Sequence, residues 1–297
     1  MAGFRGIFPV VQTPFDDQGV VDESGLARQV DFCRQAGAHG LVYPVLASEF
    51  QLLTDSERRS ALERVLKAAD GEIPVVAGVA ATSAQSAAEY AAHAVEHGAD
   101  AVIALPPYVG VLGPDDVFRY YEAISNAARR PVFLQDAPPG LPVPRIMELL
   151  QRIEHLAYVK EENEPSAHNI SALIEGLGDA CQGVFGGAWC RWMMSELDRG
   201  AHGFMPSVEI VDVHVRIWDL FHAGEQAAAR DLYNRLLPFI NLGFCLGLSV
   251  IKELLVRRGI IETAHTRRTG LPALDGQDAK ELDIILGRID DLLMPPA

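Results

Sequence analysis

Paired cysteines, basic runs and long apolar runs are all missing from this sequence of 297 residues. The four cysteines form no CxxC motif, and no pair of histidines accompanies them at the spacing of metal ligands. This pattern predicts reduced thiols in the core or on helices, with neither a disulfide nor a zinc site. The cysteines are Cys33, Cys181, Cys190 and Cys245.

The 25 lysines and arginines are scattered along the chain, and the net charge is −15. A nucleic-acid-binding surface needs clustered basic residues to neutralise phosphates, so we expect no nucleic-acid partner. No apolar run approaches the roughly 20 residues that span a bilayer, and the first residues lack the apolar stretch of a signal peptide. We therefore expect a soluble, cytoplasmic protein with no membrane partner.

Short apolar segments alternate with segments of helical periodicity through the first part of the chain. Glycines in "AGAHG", "HGADA" and "RGAHG" end predicted helices just before the next strand. Eight strand-helix units predict an α/β fold, a (β/α)8 TIM barrel over residues 1–223. The predicted strands are 6–15, 40–47, 73–80, 100–108, 131–138, 156–162, 182–187 and 202–207.

After residue 224 the strand patterns stop, and three further helices are predicted. No linker rich in proline, glycine or serine separates them from the barrel, so residues 224–297 should form a C-terminal helical extension packed on its side. The predicted helices are 22–36, 56–69, 83–97, 114–128, 144–152, 167–177, 190–199, 208–222, 225–239, 246–258 and 278–293.

The segment "HLAYVKEENEP" ends a predicted apolar strand on a lysine and two glutamates. Functional groups of a TIM barrel gather at the C-terminal ends of its strands. Alternation along the strand puts Lys160 and Glu162 on one face and Glu161 on the other. A lysine partly removed from water has a lowered pKa and can attack a carbonyl as the neutral amine. The alternative is a structural Lys–Glu pair that closes the barrel mouth.

Five segments spread over almost the whole chain are "GIFPVVQTPFDDQGVVD", "GLVYPVLASEFQLLTDSER", "ATSAQSAAEYAAHAVEHGADAVIALPPYV", "YVKEE" and "RGAHGFM". In this order they resemble the dihydrodipicolinate synthase / N-acetylneuraminate lyase family of class I Schiff-base lyases. The resemblance implies that Lys160 forms a Schiff base with a small-molecule 2-keto acid. It implies no metal or organic cofactor, because the lysine itself is the electron sink, and it implies a homotetramer built as a dimer of dimers.

The loop after strand two departs from the family pattern. Most members carry Gly-Thr-Thr-Gly-Glu there, whose amides and hydroxyls hold the substrate carboxylate, whereas this sequence has Val-Leu-Ala-Ser-Glu at 45–49. Loop amides at Leu46 and Ala47 can still bind an oxyanion, and Ser48 offers a hydroxyl. Glu49 is expected either to bind a substrate hydroxyl or act as a second acid/base, or else to cap the following helix.

Strand five carries a second departure. The family's tyrosine of Tyr-Asn-x-Pro, which relays protons in aldol chemistry, is replaced by Gln135 in "LQDAP". An amide can orient a hydroxyl but has no proton with a useful pKa. Asp136 should face the helix layer. The segment "PPGLP" also has no counterpart of the arginine that often binds a second carboxylate, which argues against a dicarboxylate product.

Four further residues are candidates for the site. Thr13 is either a hydroxyl ligand of the lysine or a turn residue. Tyr108 belongs to the family's Pro-Tyr-Tyr motif, whose second tyrosine is Val109 here, and it either lines the site or packs against its neighbours. Met205 on strand eight either covers the imine or belongs to the barrel core. Arg191, which follows strand seven, either meets a remote group of the substrate or lies on a solvated helix face.

The sequence resembles the sugar-acid dehydratase branch of the family, which includes enzymes acting on 2-keto-3-deoxy-L-arabonate. Three features carry this resemblance: the replaced tyrosine, the Glu two residues after the lysine and the Ser-Glu pair after strand two. Dehydration needs removal of a C3 proton and delivery of a proton to the departing C4 hydroxyl. Glu162 can accept the first proton as a base and then donate the second as an acid. We predict a Schiff-base dehydratase of a 2-keto-3-deoxy sugar acid. The alternatives are a retro-aldolase that releases pyruvate and a non-catalytic barrel that binds a keto acid.

Overall fold

A computed structural model describes residues 3–109 and 113–295 of the chain. Its eight strands are parallel and follow the order β1-β8-β7-β6-β5-β4-β3-β2. The strands are β1 Gly6–Ile7, β2 Leu41–Tyr43, β3 Val75–Gly78, β4 Ala101–Ala104, β5 Val132–Asp136, β6 Leu156–Glu161, β7 Gly183–Gly186 and β8 Gly203–Phe204.

Backbone hydrogen bonds close the sheet into a ring between its first and second strands. The Val11 N–H donates to the Val42 carbonyl at 3.0 Å, and the Val42 N–H donates to the Pro9 carbonyl at 3.0 Å. Closure removes the open strand edges that would otherwise present unpaired backbone groups. The predicted (β/α)8 barrel is therefore confirmed.

The helices of the barrel layer begin and end close to their predicted positions because local capping fixes them. Thr54 and Glu57 form a reciprocal capping box at the start of the second helix, and Pro114 occupies the first position of the fourth. The helices are α1 Glu23–Gln35, α2 Asp55–Ala69, α3 Ala84–Glu96, α4 Pro114–Ala128, α5 Val143–Arg152, α6 Ser166–Leu177, α7 Met193–Asp198, α8 Val211–His222, α9 Gln226–Leu246, α10 Leu248–Arg257 and α11 Gly276–Gly287.

The C-terminal helices differ from the prediction at their ends. The predicted helix 225–239 stops near Pro238, whereas α9 continues through that proline to Leu246. Phe239 and Ile240 are buried beyond it, so packing of the apolar face outweighs the hydrogen bond that proline removes. The last predicted helix, 278–293, is divided, because α11 ends at Gly287 and a 3₁₀ turn follows at Asp290–Leu292.

Aromatic side chains fill the barrel interior immediately below the strand ends. Phe133 on β5 and Tyr158 on β6 stack with ring centroids 4.4 Å apart, and Phe185 on β7 meets Phe133 edge to face at 5.4 Å. Such pairs combine large buried area with a defined geometry. Because inward-facing residues alternate, the next inward residues after Phe133 and Tyr158 are Gln135 and Lys160, and these rest on a closed aromatic floor.

The C-terminal helices are tied to the barrel layer by a buried ion pair. Arg258, which follows α10, binds Asp212 on α8 with a nitrogen-to-oxygen distance of 2.7 Å, and both side chains are at most 6% exposed. The Met294 N–H also donates to the Asp212 carboxylate.

The division of the chain into a barrel that ends at residue 223 and an extension that begins at residue 224 stays a prediction. Across the described ranges, none of the helices is both long and apolar enough to cross a membrane.

We expect Asp212→Ala to lower the free energy of unfolding by about 3–5 kcal/mol, because Arg258 would stay buried without its carboxylate. Urea unfolding followed by circular dichroism would measure the change. Arg230→Ala is the matched control, because it removes an exposed ion pair with Asp198 and should leave the unfolding midpoint almost unchanged. An equally small effect of both substitutions would contradict the role given to this pair.

Candidate active site

The C-terminal end of β6 brings a lysine and a glutamate into contact at the barrel mouth. The Lys160 Nζ lies 3.1 Å from Oε1 of Glu162, and their side chains are 4% and 15% exposed. Glu162 directly follows the last strand residue, so strand alternation points both side chains to the inside. The predicted pairing of Lys160 with Glu162 is therefore present in the structure.

Two further donors fix the Glu162 carboxylate. Gln135 on β5 donates from Nε2 to Oε2 at 2.7 Å, and the Ala188 N–H after β7 donates to Oε1 at 2.9 Å. Burial alone would raise the pKa of Glu162, but the Lys160 ammonium, the Ala188 N–H and the Gln135 amide outweigh it and lower that pKa below its ordinary value. Glu162 is thus held as a carboxylate beside the amine at neutral pH.

A second pair of acids lies on the opposite face of the same two strands. Asp136 accepts hydrogen bonds from the Leu141 N–H at 2.7 Å and from the Asn163 amide at 2.6 Å. Glu161 accepts from the Asn163 N–H at 2.8 Å. Burial and the Asp136 carboxyl raise the pKa of Glu161, and burial likewise raises that of Asp136. Asp136 faces the helix layer, as expected.

Two adjoining cavities of about 260 and 370 Å³ meet at Lys160 and Glu162. Leu46 and Ala47 of the loop after β2 line both of them. Met205 after β8, which is only 2% exposed, lines the smaller cavity. These three predicted site residues therefore lie beside the lysine, and their contacts with substrate stay predictions.

Two predicted binding residues of the same loop are turned away from the cavities. The Ser48 hydroxyl donates to the Val11 carbonyl at 2.7 Å and accepts from the Val45 N–H at 3.2 Å. The Glu49 carboxylate, which is fully buried, pairs with the Lys252 Nζ at 2.6 Å and accepts from the Arg268 N–H at 2.9 Å. Glu49 precedes the 3₁₀ turn Phe50–Leu52, but its side chain makes no capping hydrogen bond there. Its carboxylate anchors the C-terminal segment to the loop, which corrects the expected side-chain cap, and contact with substrate stays a prediction.

Thr13 and Tyr108 make their contacts with residues other than Lys160. The Thr13 hydroxyl donates to the Ser48 carbonyl at 2.6 Å and lies 3.0 Å from the Tyr43 hydroxyl, so its hydrogen bonds support the loop. Tyr108 is 45% exposed and packs edge to face on Phe50, in a cavity next to the lysine site. For Tyr108 the structure favours the packing alternative, and for both residues contact with the lysine or the substrate stays a prediction.

Trp189 and Arg268 border the cavities although the sequence did not predict it. Trp189 lines both cavities, and Arg268 from the segment after α10 lines the smaller one. Arg191 lines the larger cavity and pairs with Glu164; this position favours the alternative of a remote substrate contact, and that contact stays a prediction. No strand or helix periodicity indicated that Arg268 borders the cavity, because it enters the site from a turn-rich segment about a hundred residues after β6.

A left-handed turn after β7 explains the position of Trp189. Ala188, Trp189 and Cys190 have φ angles of 46°, 63° and 56°, a region that residues other than glycine seldom adopt. The turn aims the Ala188 N–H at Glu162 and sets the indole of Trp189 against Gly243 of α9, where a Cβ would overlap the ring. A glycine at 243 is therefore what allows α9 to approach the site this closely.

Comparison with known proteins agrees with this geometry. The chain matches the Dihydrodipicolinate synthetase family over residues 3–286. It is 31% identical over 296 residues to the L-2-keto-3-deoxyarabonate dehydratase of Azospirillum brasilense, covering 98% of this chain and 96% of that protein. It is 28% identical over 294 residues to a 4-hydroxy-tetrahydrodipicolinate synthase of Methanothrix thermoacetophila, covering 97% and 98%. The crystal structure of dihydrodipicolinate synthase from Rhodopseudomonas palustris has a TM-score of 0.87 and 25% identity, covering 96% and 97%.

A buried lysine beside a fixed carboxylate at the mouth of a (β/α)8 barrel is typical of enzymes that work through an imine with their substrate. The chain belongs to the dihydrodipicolinate synthetase family and is a class I Schiff-base enzyme of the lyase and aldolase type. The family resemblance given by the sequence is confirmed.

We expect Gly243→Ala to slow imine formation with pyruvate by about 10- to 100-fold, because the added methyl displaces Trp189 and with it the turn that holds Glu162. Borohydride trapping followed by mass spectrometry would measure the rate. Gly287→Ala is the matched control, since a Cβ at that helical glycine meets nothing within 4 Å. Equal rates for the two variants would show that the Trp189 contact does not position the site.

We expect Glu161→Gln to change how stability depends on pH. The raised pKa of Glu161 contributes stability that is fully present below the pKa of the unfolded chain and is lost as pH rises through the folded-state value. The amide cannot ionise, so the urea midpoint of the variant should rise relative to wild type between about pH 5 and about pH 9. Parallel pH profiles for the two proteins would contradict this account.

Proposed function

We propose that this protein is a Schiff-base dehydratase that removes water from a 2-keto-3-deoxy sugar acid such as 2-keto-3-deoxy-L-arabonate. The observation that carries the proposal is the Glu162 carboxylate, held 3.1 Å from the Lys160 Nζ by donors from β5 and from the turn after β7. The 31% identity to an L-2-keto-3-deoxyarabonate dehydratase supports the same reaction.

The reaction begins when Lys160 passes a proton to Glu162 and its amine attacks the C2 carbonyl. The hydroxyl formed at C2 takes that proton from Glu162 and leaves as water, which gives an iminium ion and returns Glu162 to the carboxylate. The iminium acidifies C3, and Glu162 takes the C3 proton to form an enamine. The C4 hydroxyl then departs as water after it receives a proton from Glu162. Loss of a C5 proton gives a conjugated enamine that carries an enol at C5. Protonation at C3, and then protonation at C4 with loss of the C5 hydroxyl proton, gives the C5 aldehyde, and hydrolysis of the imine releases 2-oxoglutarate semialdehyde. One molecule of water is lost overall.

Gln135 supports this sequence by holding Glu162 rather than by transferring a proton. Its amide donates to Oε2 of Glu162, the oxygen that does not face the lysine. Retro-aldol cleavage needs a base for the C4 hydroxyl, and an amide at this position of β5 cannot ionise to provide one. The carboxylate beside the lysine is the base suited to C3, so the site favours elimination over cleavage.

The cavities suit a short substrate with one carboxylate. Leu46 and Ala47 border the lysine on the side where backbone amides could receive the C1 carboxylate. Arg268 and Ser207 border the smaller cavity and could receive the hydroxyl at the far end of the chain. The homotetramer implied by the resemblance and the cytoplasmic location expected from the sequence pattern remain proposals alongside this function.

We expect the purified protein to convert 2-keto-3-deoxy-L-arabonate to 2-oxoglutarate semialdehyde, and Lys160→Ala to abolish both this product and the borohydride-trapped imine. Proton NMR of the reaction mixture would identify the product. Glu162→Gln should still form the trapped imine but lose dehydration by about 10²- to 10⁴-fold, the range for removing a general acid or base.

The products distinguish the alternatives. Pyruvate and a two-carbon aldehyde would mean a retro-aldolase that uses another proton relay. Imine trapping without turnover of 2-keto-3-deoxy-L-arabonate or its diastereomers would favour a barrel that binds keto acids. Either result would overturn the dehydratase proposal.

A further inference from the structure

Two neighbouring helices of the outer layer bring a glutamate and two histidines together, away from the lysine site. His93 of α3 and His97 at its C-terminal end are four residues apart and lie on one face of the helix, and Glu63 comes from α2. The Nε2 atoms of His93 and His97 lie 2.9 and 3.7 Å from Oε1 of Glu63. One ligand atom of each residue lies within 4.8 Å of the others.

The orientation of His97 presents a ring nitrogen to this cluster. Its Nδ1 lies 2.8 Å from the His93 carbonyl oxygen, which can only accept, so Nδ1 carries the proton and Nε2 of the neutral ring has a free lone pair. A metal-bound histidine commonly has its second nitrogen fixed in this way by a backbone carbonyl. The backbone of α3 thus prepares His97 for coordination through Nε2.

The surroundings favour a cation over a simple surface ion pair. The His93 side chain is only 12% exposed, and the His93 and His97 rings pack with centroids 4.3 Å apart. Both rings are therefore held in position before any ion arrives. The chain as a whole carries a net charge of −15, which attracts cations to its surface.

We propose that Glu63, His93 and His97 form a binding site for a divalent transition-metal ion, with Zn²⁺ as the best match. Two imidazole nitrogens and one carboxylate oxygen are ligands that Zn²⁺ accepts, with a water molecule in the fourth position. The ion takes the place of the proton between Nε2 of His93 and Glu63, and the neutral His93 ring then carries its proton on Nδ1. Bound there, the ion joins α2 to α3.

The sequence pattern had predicted no metal site. The four-residue spacing of the histidines was visible on a predicted helix, but two histidines alone do not make a site. The third ligand is thirty residues earlier on another helix, and the barrel layer is what brings it next to them.

Zn²⁺ titration by isothermal calorimetry tests the proposal, with all proteins carrying Cys245→Ser to remove an exposed thiol. We expect about one ion per chain in the parent, and affinity at least about tenfold weaker in His97→Ala and in Glu63→Gln. His168→Ala is the matched control, because it removes an exposed histidine of another helix and should bind as the parent does.

Two further readouts report the same site. Thermal unfolding of the parent should shift upward with rising Zn²⁺ and return with a chelator, since an ion that binds the folded state stabilises it by mass action, and His97→Ala should lack this shift. Co²⁺ should give a visible absorption band in the parent and in His168→Ala. Equal Zn²⁺ affinity in the parent and in His97→Ala, or no saturable binding in the parent, would overturn the proposal.

Discussion

The contact on which the site depends is the ion pair between Lys160 and Glu162 at the end of β6. Two opposite charges removed from water are stable only when further hydrogen bonds satisfy the carboxylate. Gln135 and the Ala188 N–H provide those bonds, and they come from the strand on one side of β6 and from the turn after the strand on the other. The parallel register that sets Gln135 opposite Lys160 is thus a requirement of the chemistry as much as of the barrel.

The inside of this site could be predicted because it follows from a local rule. Side chains alternate along a strand, so "VKEE" alone places Lys160 and Glu162 together and sends Glu161 to the other face. The same rule places Gln135 inside and Asp136 outside. The eight-unit pattern predicted the barrel for a similar reason, since apolar periodicity and helix-ending glycines recur within short windows of the chain.

The parts that were wrong or missed depend on residues far away in the chain or on an unusual backbone turn. Glu49 looked like a ligand for substrate because its partner, Lys252, is 203 residues later, and no local pattern joins the two. Arg268 and Trp189 escaped prediction for related reasons. One enters from an irregular segment, and the other depends on three consecutive left-handed residues that no composition rule anticipates.

The Glu49–Lys252 pair also bears on how this chain can be divided and recombined. A carboxylate in the loop after β2 and an ammonium on α10 are both inaccessible to water, so neither is tolerable without the other. The barrel and the helices that follow it must therefore keep matching residues at positions 49 and 252. Exchange of residues 224–297 for those of a relative with another residue at 252 would leave a buried charge in the loop that borders the lysine, and fragments cut at this boundary would have to reassemble before either could function.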